Sequence, residues 1–502
     1  MKKRLLLLLI ALLSRSNLSL SQSLAAAFEN IAQEYDMMGG ALVVFCKDQI
    51  STSCYYGKSD LLRDMSVDTG TRFRIASISK TVTAMAIMQL TEQGILSLDT
   101  DIGSILGFYV RNPNYPDKII TVRMLLSHTS SIVDGSTYSA FLQATVNSNP
   151  VPGLNEILVP GGTYYTANQF NNQLPGTWFN YANVNYVILG TIIEKVSGIR
   201  FDMYCREYIF EPLGLDASFN VNDLSDINDV AVLYRKNNGV WTPQIDNYAG
   251  IEPVFANLSG YVPGTNGGRF GPQGGLRISA EDLATLMMCL FNPGTCMAPI
   301  LSAQSAADMM SEQWTYNGNN GNNYYGLFRS WGLGIHRVKS VPGGDYIWSG
   351  NPALFGHTGE AYGLVSDAYY DTTRKAGFVF ITNGVGTGYQ SDAHSAYYTV
   401  EQEVFRAVEH HVDAGACAVS SAGFIPEDDK TDWIYPNPVS GDIHISISQF
   451  TSPVCLKLQT LYGSTLIQKQ ITSPETTISL SGVIPGTYLL RINERAKIIC
   501  KL

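Results

Sequence analysis

Phe73-Arg74-Ile75-Ala76-Ser77-Ile78-Ser79-Lys80-Thr81 is the segment around which the rest of this chain is read. It leads into Thr81 to Leu90, apolar almost all round and followed by Gly94 as a stop, which predicts a helix buried inside a large domain. Ser77 and Lys80 stand at its start, and residues at i and i+3 share a helix face, so amine and hydroxyl come within reach of one another. A serine hydroxyl alone is a weak nucleophile. If burial and neighbouring cations depress the lysine pKa, the neutral amine can accept the serine proton as the oxygen attacks a carbonyl. The helix N-terminus adds N–H donors and a positive dipole end where an oxyanion would form. S-x-x-K on its own is also what an N-capping serine followed by an exposed lysine looks like.

Outward from this segment, Leu24 to Tyr35 has helical spacing, and Gly40 to Tyr56 reads as two β-rich runs split by Lys47-Asp48-Gln49. The middle, about Asp99 to Ala280, mixes helical stretches such as Val184 to Val196 with loops rich in Asn, Gly, Pro and Tyr, and predicts a mostly helical subdomain. Gly363 to Tyr370 and Gly377 to Thr382 flank the polar Asp371 to Lys375 turn as an antiparallel hairpin, so the sheet draws on both ends of the domain. Tyr397 to His411 reads as a closing helix beside the first one.

Two further motifs carry chemistry. In Pro175-Gly176-Thr177-Trp178-Phe179-Asn180-Tyr181-Ala182-Asn183, the Tyr181 phenol can share proton transfer with Lys80, and the Asn183 amide can hold a substrate carbonyl and Lys80. In Phe355-Gly356-His357-Thr358-Gly359-Glu360, expected to enter the first strand of the late hairpin, Thr358 offers a hydroxyl, Gly359 allows close approach of backbone to ligand, and His357 can bond substrate or tyrosine. His128 invites a Ser-His-Asp reading, but there is no G-x-S-x-G in the chain, and no H-E-x-x-H or C-x-x-C supports a metal.

S-x-x-K, then Y-x-N, then H-T-G, in that order, resembles the serine β-lactamase and penicillin-binding protein family, nearest its class C β-lactamase and D-alanyl-D-alanine carboxypeptidase branch. Ile120 to Ser130, Glu211 to Leu215, Gly274-Gly275-Leu276 and Ala280 to Leu283 resemble its connecting segments, over about Leu24 to His411. The resemblance implies an α/β (α+β) domain: an antiparallel sheet flanked by helices, a helical subdomain, and a cleft between them. It implies acyl-enzyme chemistry without metal or cofactor. Ser77 would be acylated and Lys80 and Tyr181 would manage protons. Asn183, His357, Thr358, Gly359 and Glu360 would bind substrate, with an oxyanion hole from the N–H groups of Ser77 and Glu360. Class C β-lactamases usually carry Lys where this chain has His357, and neutral imidazole is a weaker anion site. The H-T-G form looks more like carboxypeptidases, D-aminopeptidases and esterases. The expected function is hydrolysis of esters or amides, including D-amino-acid peptides; a true β-lactamase, or a silent binding protein on the same fold, are the alternatives.

With 502 residues, 45% apolar and 15% charged, the chain predicts a large globular domain plus a smaller one, and a net charge of −10 counts against nucleic acid as a partner. Met1-Lys2-Lys3-Arg4 and the apolar run Leu5 to Leu13 read as a signal peptide over 1–22, too short to span a bilayer, with no membrane span in the mature chain. The hydrolase domain is placed at 23–413, followed by a small, acidic, turn-rich linker at 414–432. Eight cysteines in an exported protein predict disulfides, with Cys46–Cys54, Cys289–Cys296 and Cys455–Cys500 as the expected pairs.

Residues 433–502 show short alternating runs at Ile443 to Ile447, Val454 to Leu461, Thr477 to Leu480 and Tyr488 to Ile492, the pattern of a small β-sandwich. Its opening, Ile434-Tyr435-Pro436-Asn437-Pro438, and its end, Gly486-Thr487-Tyr488 to Ile492, resemble the C-terminal sorting domain of bacterial type IX secretion. That resemblance implies type IX machinery as a partner and passage through the periplasm to the cell surface or medium.

Overall fold

The computed structural model describes residues 23–253, 258–296, 298–417, 433–435, 441–447, 454–460, 465–483, 486–492 and 495–501. The signal peptide lies outside these, as does most of the proposed linker. The chain divides into two compact units, 1–418 and 419–502.

In the first unit, helix α1 (Leu24–Glu34) leads into strands β1 (Met37–Cys46) and β2 (Ile50–Asp60), and the sheet resumes after the middle of the chain with β3 (Leu354–Ala361), β4 (Leu364–Asp371) and β5 (Ala376–Val385). Their order in a nine-stranded sheet is Met65–Ser66, β2, β1, β5, β4, β3, then the short pieces His336–Arg337, Ser330–Trp331 and Trp314–Thr315. Every pairing is antiparallel. The N-terminal hairpin thus docks on the late strands through β1 and β5, as its apolar sequence requires: β1 and β5 are buried on both faces. Ala41, Val43, Phe45, Val379 and Ile381 turn to one core, Leu42, Val44, Phe378 and Phe380 to the other.

The second of those cores is covered by α1 and the closing helix, Thr399–His411. On the other face lie α2 (Ser79–Glu92), α3 (Asn183–Ser197) and α4 (Ala280–Phe291), with α2 and α3 buried nearly all round at the centre of the helical side.

Two expectations need correcting. The H-T-G motif occupies its own strand, β3, and the Tyr362-Gly363 turn, both residues at positive φ, separates it from the predicted hairpin. Gly363 cannot carry a side chain there, because a Cβ would fall 2.0 Å from the Tyr234 carbonyl oxygen. Cys46 bonds to Cys417 across 371 residues, not to Cys54. In the β1–β2 register Cys54 stands opposite Leu42, four residues from Cys46, and it stays a buried thiol. Cys289–Cys296 forms as expected. The third pair falls on Cys500, whose side chain lies outside the described residues.

The second unit has a three-stranded sheet (433–435, 442–446, 475–479) and a four-stranded one (465–471, 454–460, 486–492, 495–501). Ile443 and Ile445 from the first share a core with Leu456, Leu458 and Leu490 from the second, which makes a sandwich.

Candidate active site

Ser77 sits in a tight turn, Ala76–Ile78, that runs directly into α2. Ala76 before it is held at φ +45, a left-handed conformation that costs an alanine on the order of 1–3 kcal/mol. Several contacts impose it. The Ile75 N–H donates to the Leu276 carbonyl (3.1 Å), the Leu276 N–H to Ser79 Oγ (3.2 Å), and Ser366 Oγ on β4 to the Ile75 carbonyl (3.1 Å). Gly359 on β3 closes against the same turn, where a Cβ would stand 2.7 Å from the Ile75 oxygen and 3.1 Å from the Ser77 nitrogen. Any larger residue would push Ser77 away from the strand.

Lys80 is fully buried, and its Nζ lies 2.9 Å from Ser77 Oγ, 2.9 Å from Asn183 Oδ1 and 2.7 Å from the Gln273 carbonyl oxygen. All three partners are neutral. Burial therefore dominates and pulls the Lys80 pKa down to about 7, with the Asp134 charge opposing. A neutral amine has two N–H groups and one lone pair. The carbonyls of Asn183 and Gln273 can only accept, so they take the N–H groups and leave the lone pair for the Ser77 O–H.

Asn183 opens α3, and Asp134 fixes it from a distant loop: the Asn183 N–H and Nδ2 both donate to Asp134 Oδ2 (3.0 and 2.8 Å), and the Val184 N–H donates to Oδ1 (2.8 Å). One carboxylate thus caps the helix and sets the amide that holds Lys80.

The Tyr181 ring lies 4.9 Å from Lys80 Nζ, stacked on Phe328 and beside His128, at 4.4 Å between centroids. Its buried hydroxyl closes no hydrogen bond of good geometry, yet it is near enough to Ser77 for that contact to offset part of the burial that pushes the phenol well above 10. Tyr181 therefore keeps its O–H intact. His128 supports this loop: its Nδ1 accepts from the Ala182 N–H (3.1 Å) and its carbonyl from the Asn180 N–H (2.8 Å).

His357 is buried, its ring 6.0 Å from that of Tyr181, and burial and Lys80 hold its pKa well below 6.5. Its Nδ1 lies 2.5 Å from the Thr358 carbonyl oxygen, which can only accept, so Nδ1 carries the proton and Nε2, without a partner, presents a lone pair.

The strand period separates the remaining residues. His357 and Gly359 face the cleft, whereas Thr358 and Glu360 point to the opposite side of the sheet. Thr358 Oγ1 donates to Glu401 on the closing helix (3.2 Å), and Glu360 accepts from the Tyr398 hydroxyl (2.7 Å). Ser77, Lys80, Tyr181, Asn183, His357 and Gly359 come together; the side chains of Thr358 and Glu360 do not join them. Behind Thr358, burial pushes the Asp367 carboxyl well up, and Glu401 beside it is also raised.

Asp134, the Gln273 carbonyl and Tyr324, whose ring meets Tyr181 edge-on at 5.7 Å, belong to the site and went unread in the sequence. For Tyr324 the Asn/Gly-rich loop at 316–323 was a signal. An acidic loop residue and a backbone carbonyl give none. Among the described residues no cluster of His, Cys, Asp and Glu could hold a metal.

Comparison with known proteins fits this geometry. Residues 24–400 match the family described as Beta-lactamase, and 433–502 match the Secretion system C-terminal sorting domain. Penicillin-binding protein 4 of Amycolatopsis lactamdurans is 26% identical over 379 residues, covering 73% of this chain and 86% of its own. Among solved structures, EstCE1, a hydrolase with promiscuous acyltransferase activity, is similar at TM-score 0.57 and 20% identity, covering 77% of this chain and 99% of its own. D-amino acid amidase from Ochrobactrum anthropi SV3 is similar at TM-score 0.55 and 20% identity, covering 78% of this chain and 99% of its own. At that identity the two structures speak for the fold alone.

Proposed function

This chain belongs to the beta-lactamase family of serine hydrolases and ends in a type IX secretion sorting domain, and on that premise we propose that it hydrolyses esters or amides through an acyl-Ser77 intermediate. The sorting domain marks it as secreted or cell-surface. The proposed course begins with a signal peptide over 1–22, removed during transit through the periplasm, and continues with a linker at 414–432. The observation that carries the catalytic reading is the fully buried Lys80 amine, 2.9 Å from Ser77 Oγ with only neutral partners.

The proposed sequence conserves protons. Ser77 Oγ bonds the substrate carbonyl carbon as its proton passes to Lys80. The oxyanion rests against the N–H groups of Ser77, in the turn that opens α2, and of Glu360 on β3. As the bond to the leaving oxygen or nitrogen breaks, Tyr181 protonates that atom and is reprotonated from Lys80. Water then attacks the acyl-Ser77 carbon by the reverse route, giving the acid and free Ser77. The His357 lone pair accepts from Tyr181 or from a substrate N–H and repels a carboxylate brought to it. That favours leaving groups without a carboxylate, hence esters, amides and D-amino-acid amides over β-lactams and peptides ending in free D-alanine.

A fluorophosphonate probe should add to Ser77 in the folded chain and not to Ser77→Ala. The variant should keep its circular dichroism and lose turnover by about 10³-fold or more on every substrate among 4-nitrophenyl acetate, nitrocefin and a D-Ala-D-Ala peptide. Turnover surviving in Ser77→Ala, or a folded wild type that takes no label, would refute the assignment.

A further inference from the structure

The substrate-binding groups identified so far lie toward the His357 end of β3. At the other end, past Gly359, is a cavity of about 410 Å³ that the reaction scheme leaves unused. It adjoins the nucleophile turn. Arg74 on its wall is three residues before Ser77 and pairs in register with Arg277 on the neighbouring strand, while Gln273, which holds Lys80 through its carbonyl, and Tyr362 just past the end of β3 also line it. Gly274 between them stacks on Ala76, with a Cβ there 3.7 Å from the alanine carbonyl.

Two features define what would fit. Phe219, Ile245, Leu258 and Phe270 give the cavity an apolar body. Its charged lining is three guanidiniums, Arg74, Arg269 and Arg277, and no carboxylate among the described residues that line it. Asp246 lies behind Arg74 and Arg277 and bonds both, at 2.9 and 2.7 Å through Oδ1. Arg277 is further occupied by the Gly275 carbonyl (2.9 Å) and Tyr248 (3.4 Å). Among the described residues Arg74 is bonded through Nε and Nη2 only, which leaves Nη1 for a ligand. The Gln273 Oε1 is buried without a partner. In a chain of net charge −10 this is a positively charged, half-apolar recess beside the nucleophile.

We propose that this cavity binds the acyl side of the substrate and selects acyl groups ending in a carboxylate on a short apolar stem, with Arg74 as the specificity-determining residue. The proposal rests on the acyl-Ser77 reading. Tyr181, the leaving-group donor, stands at the His357 end of β3, so the acyl portion must extend the other way, past Gly359 toward Tyr362 and the cavity. A guanidinium with a free N–H edge in an apolar recess binds a carboxylate far more strongly than it would in water.

The test compares two esters with one leaving group, mono-4-nitrophenyl adipate and 4-nitrophenyl hexanoate, by kcat/KM on the full chain. The wild type should prefer the adipate by about tenfold or more, the worth of a charge-assisted hydrogen bond. Arg74→Gln should bring the ratio within about threefold of unity. Should that variant fail to fold, Arg269→Gln, at a partly exposed position, should at least halve the ratio. Equal turnover of both esters, or a preference unmoved by the substitutions, overturns the subsite and leaves the acyl-Ser77 reading standing. If the wild type hydrolyses neither ester, or if Ser77→Ala hydrolyses both, the hydrolase reading falls and the subsite with it.

Discussion

Lys80 and Arg277 are both buried basic residues beside the Ser77 turn, and the protein treats them oppositely. Lys80 has three neutral partners, and burial brings its pKa down to about 7. Arg277 and Arg74 share Asp246, whose carboxyl their charges hold well below the usual range despite full burial. The same desolvation acts on both sites. A carbonyl partner offers an ammonium only a dipole, which does not offset the burial of its charge, so the proton becomes labile, whereas a carboxylate partner locks charge in place. The difference in partners suits one cation to its proposed role as a base and makes the other a fixed frame.

That comparison breaks most visibly at Lys80. Arg in its place stays charged at any working pH and has no lone pair to offer, so Lys80→Arg should lower kcat by about 10³-fold, in the middle of the range for loss of a general base. Steady-state turnover against wild type measures this, and a loss under tenfold would mean that another group takes the Ser77 proton. The frame should fail in the other currency. Asp246→Ala strands two buried guanidiniums and should cost about 3–5 kcal/mol of stability, read from the denaturant midpoint. The acid limb of the surviving activity should stay near pH 7, since Asp246 does not touch Lys80.

Much of this was readable in the sequence where local periodicity rules. α1, β1, β2, α2, α3 and the β4–β5 hairpin stand within a few residues of their expected places because apolar residues repeat at the spacing each element needs. β3 was merged into the hairpin because Gly356, His357, Thr358 and Gly359 blur its alternation and the Tyr362-Gly363 turn is too short to mark a break. Once β3 is recognised as a strand, its period of two already separates His357 and Gly359 from Thr358 and Glu360. Contacts that close long loops leave no local trace. Cys46–Cys417, the Asp134 cap on Asn183 and the Gln273 carbonyl on Lys80 depend on where the fold brings distant backbone.

Asp134 gives the finest test, because it is the carboxylate that acts on Lys80 without touching it. Lys80 is the proposed base in its neutral form, so kcat/KM of the wild type should rise tenfold per pH unit on the acid side and level off above about pH 7. The Asp134 charge favours the ammonium and so raises the Lys80 pKa against the effect of burial. In Asp134→Asn that support is gone, the amine loses its proton more readily, and the acid limb should move to lower pH. The shift should stay under about one pH unit, since Asp134 is exposed and water screens it. Its sign decides more than its size. A limb that moves to higher pH would mean that Asp134 acts chiefly by holding Asn183 over Lys80, and that water reaching the loosened amine relieves its burial by more than the lost charge takes away. A pH profile at constant ionic strength, paired with one at raised salt, separates the two, because salt weakens the charge and leaves the hydrogen bonds from Asn183 in place.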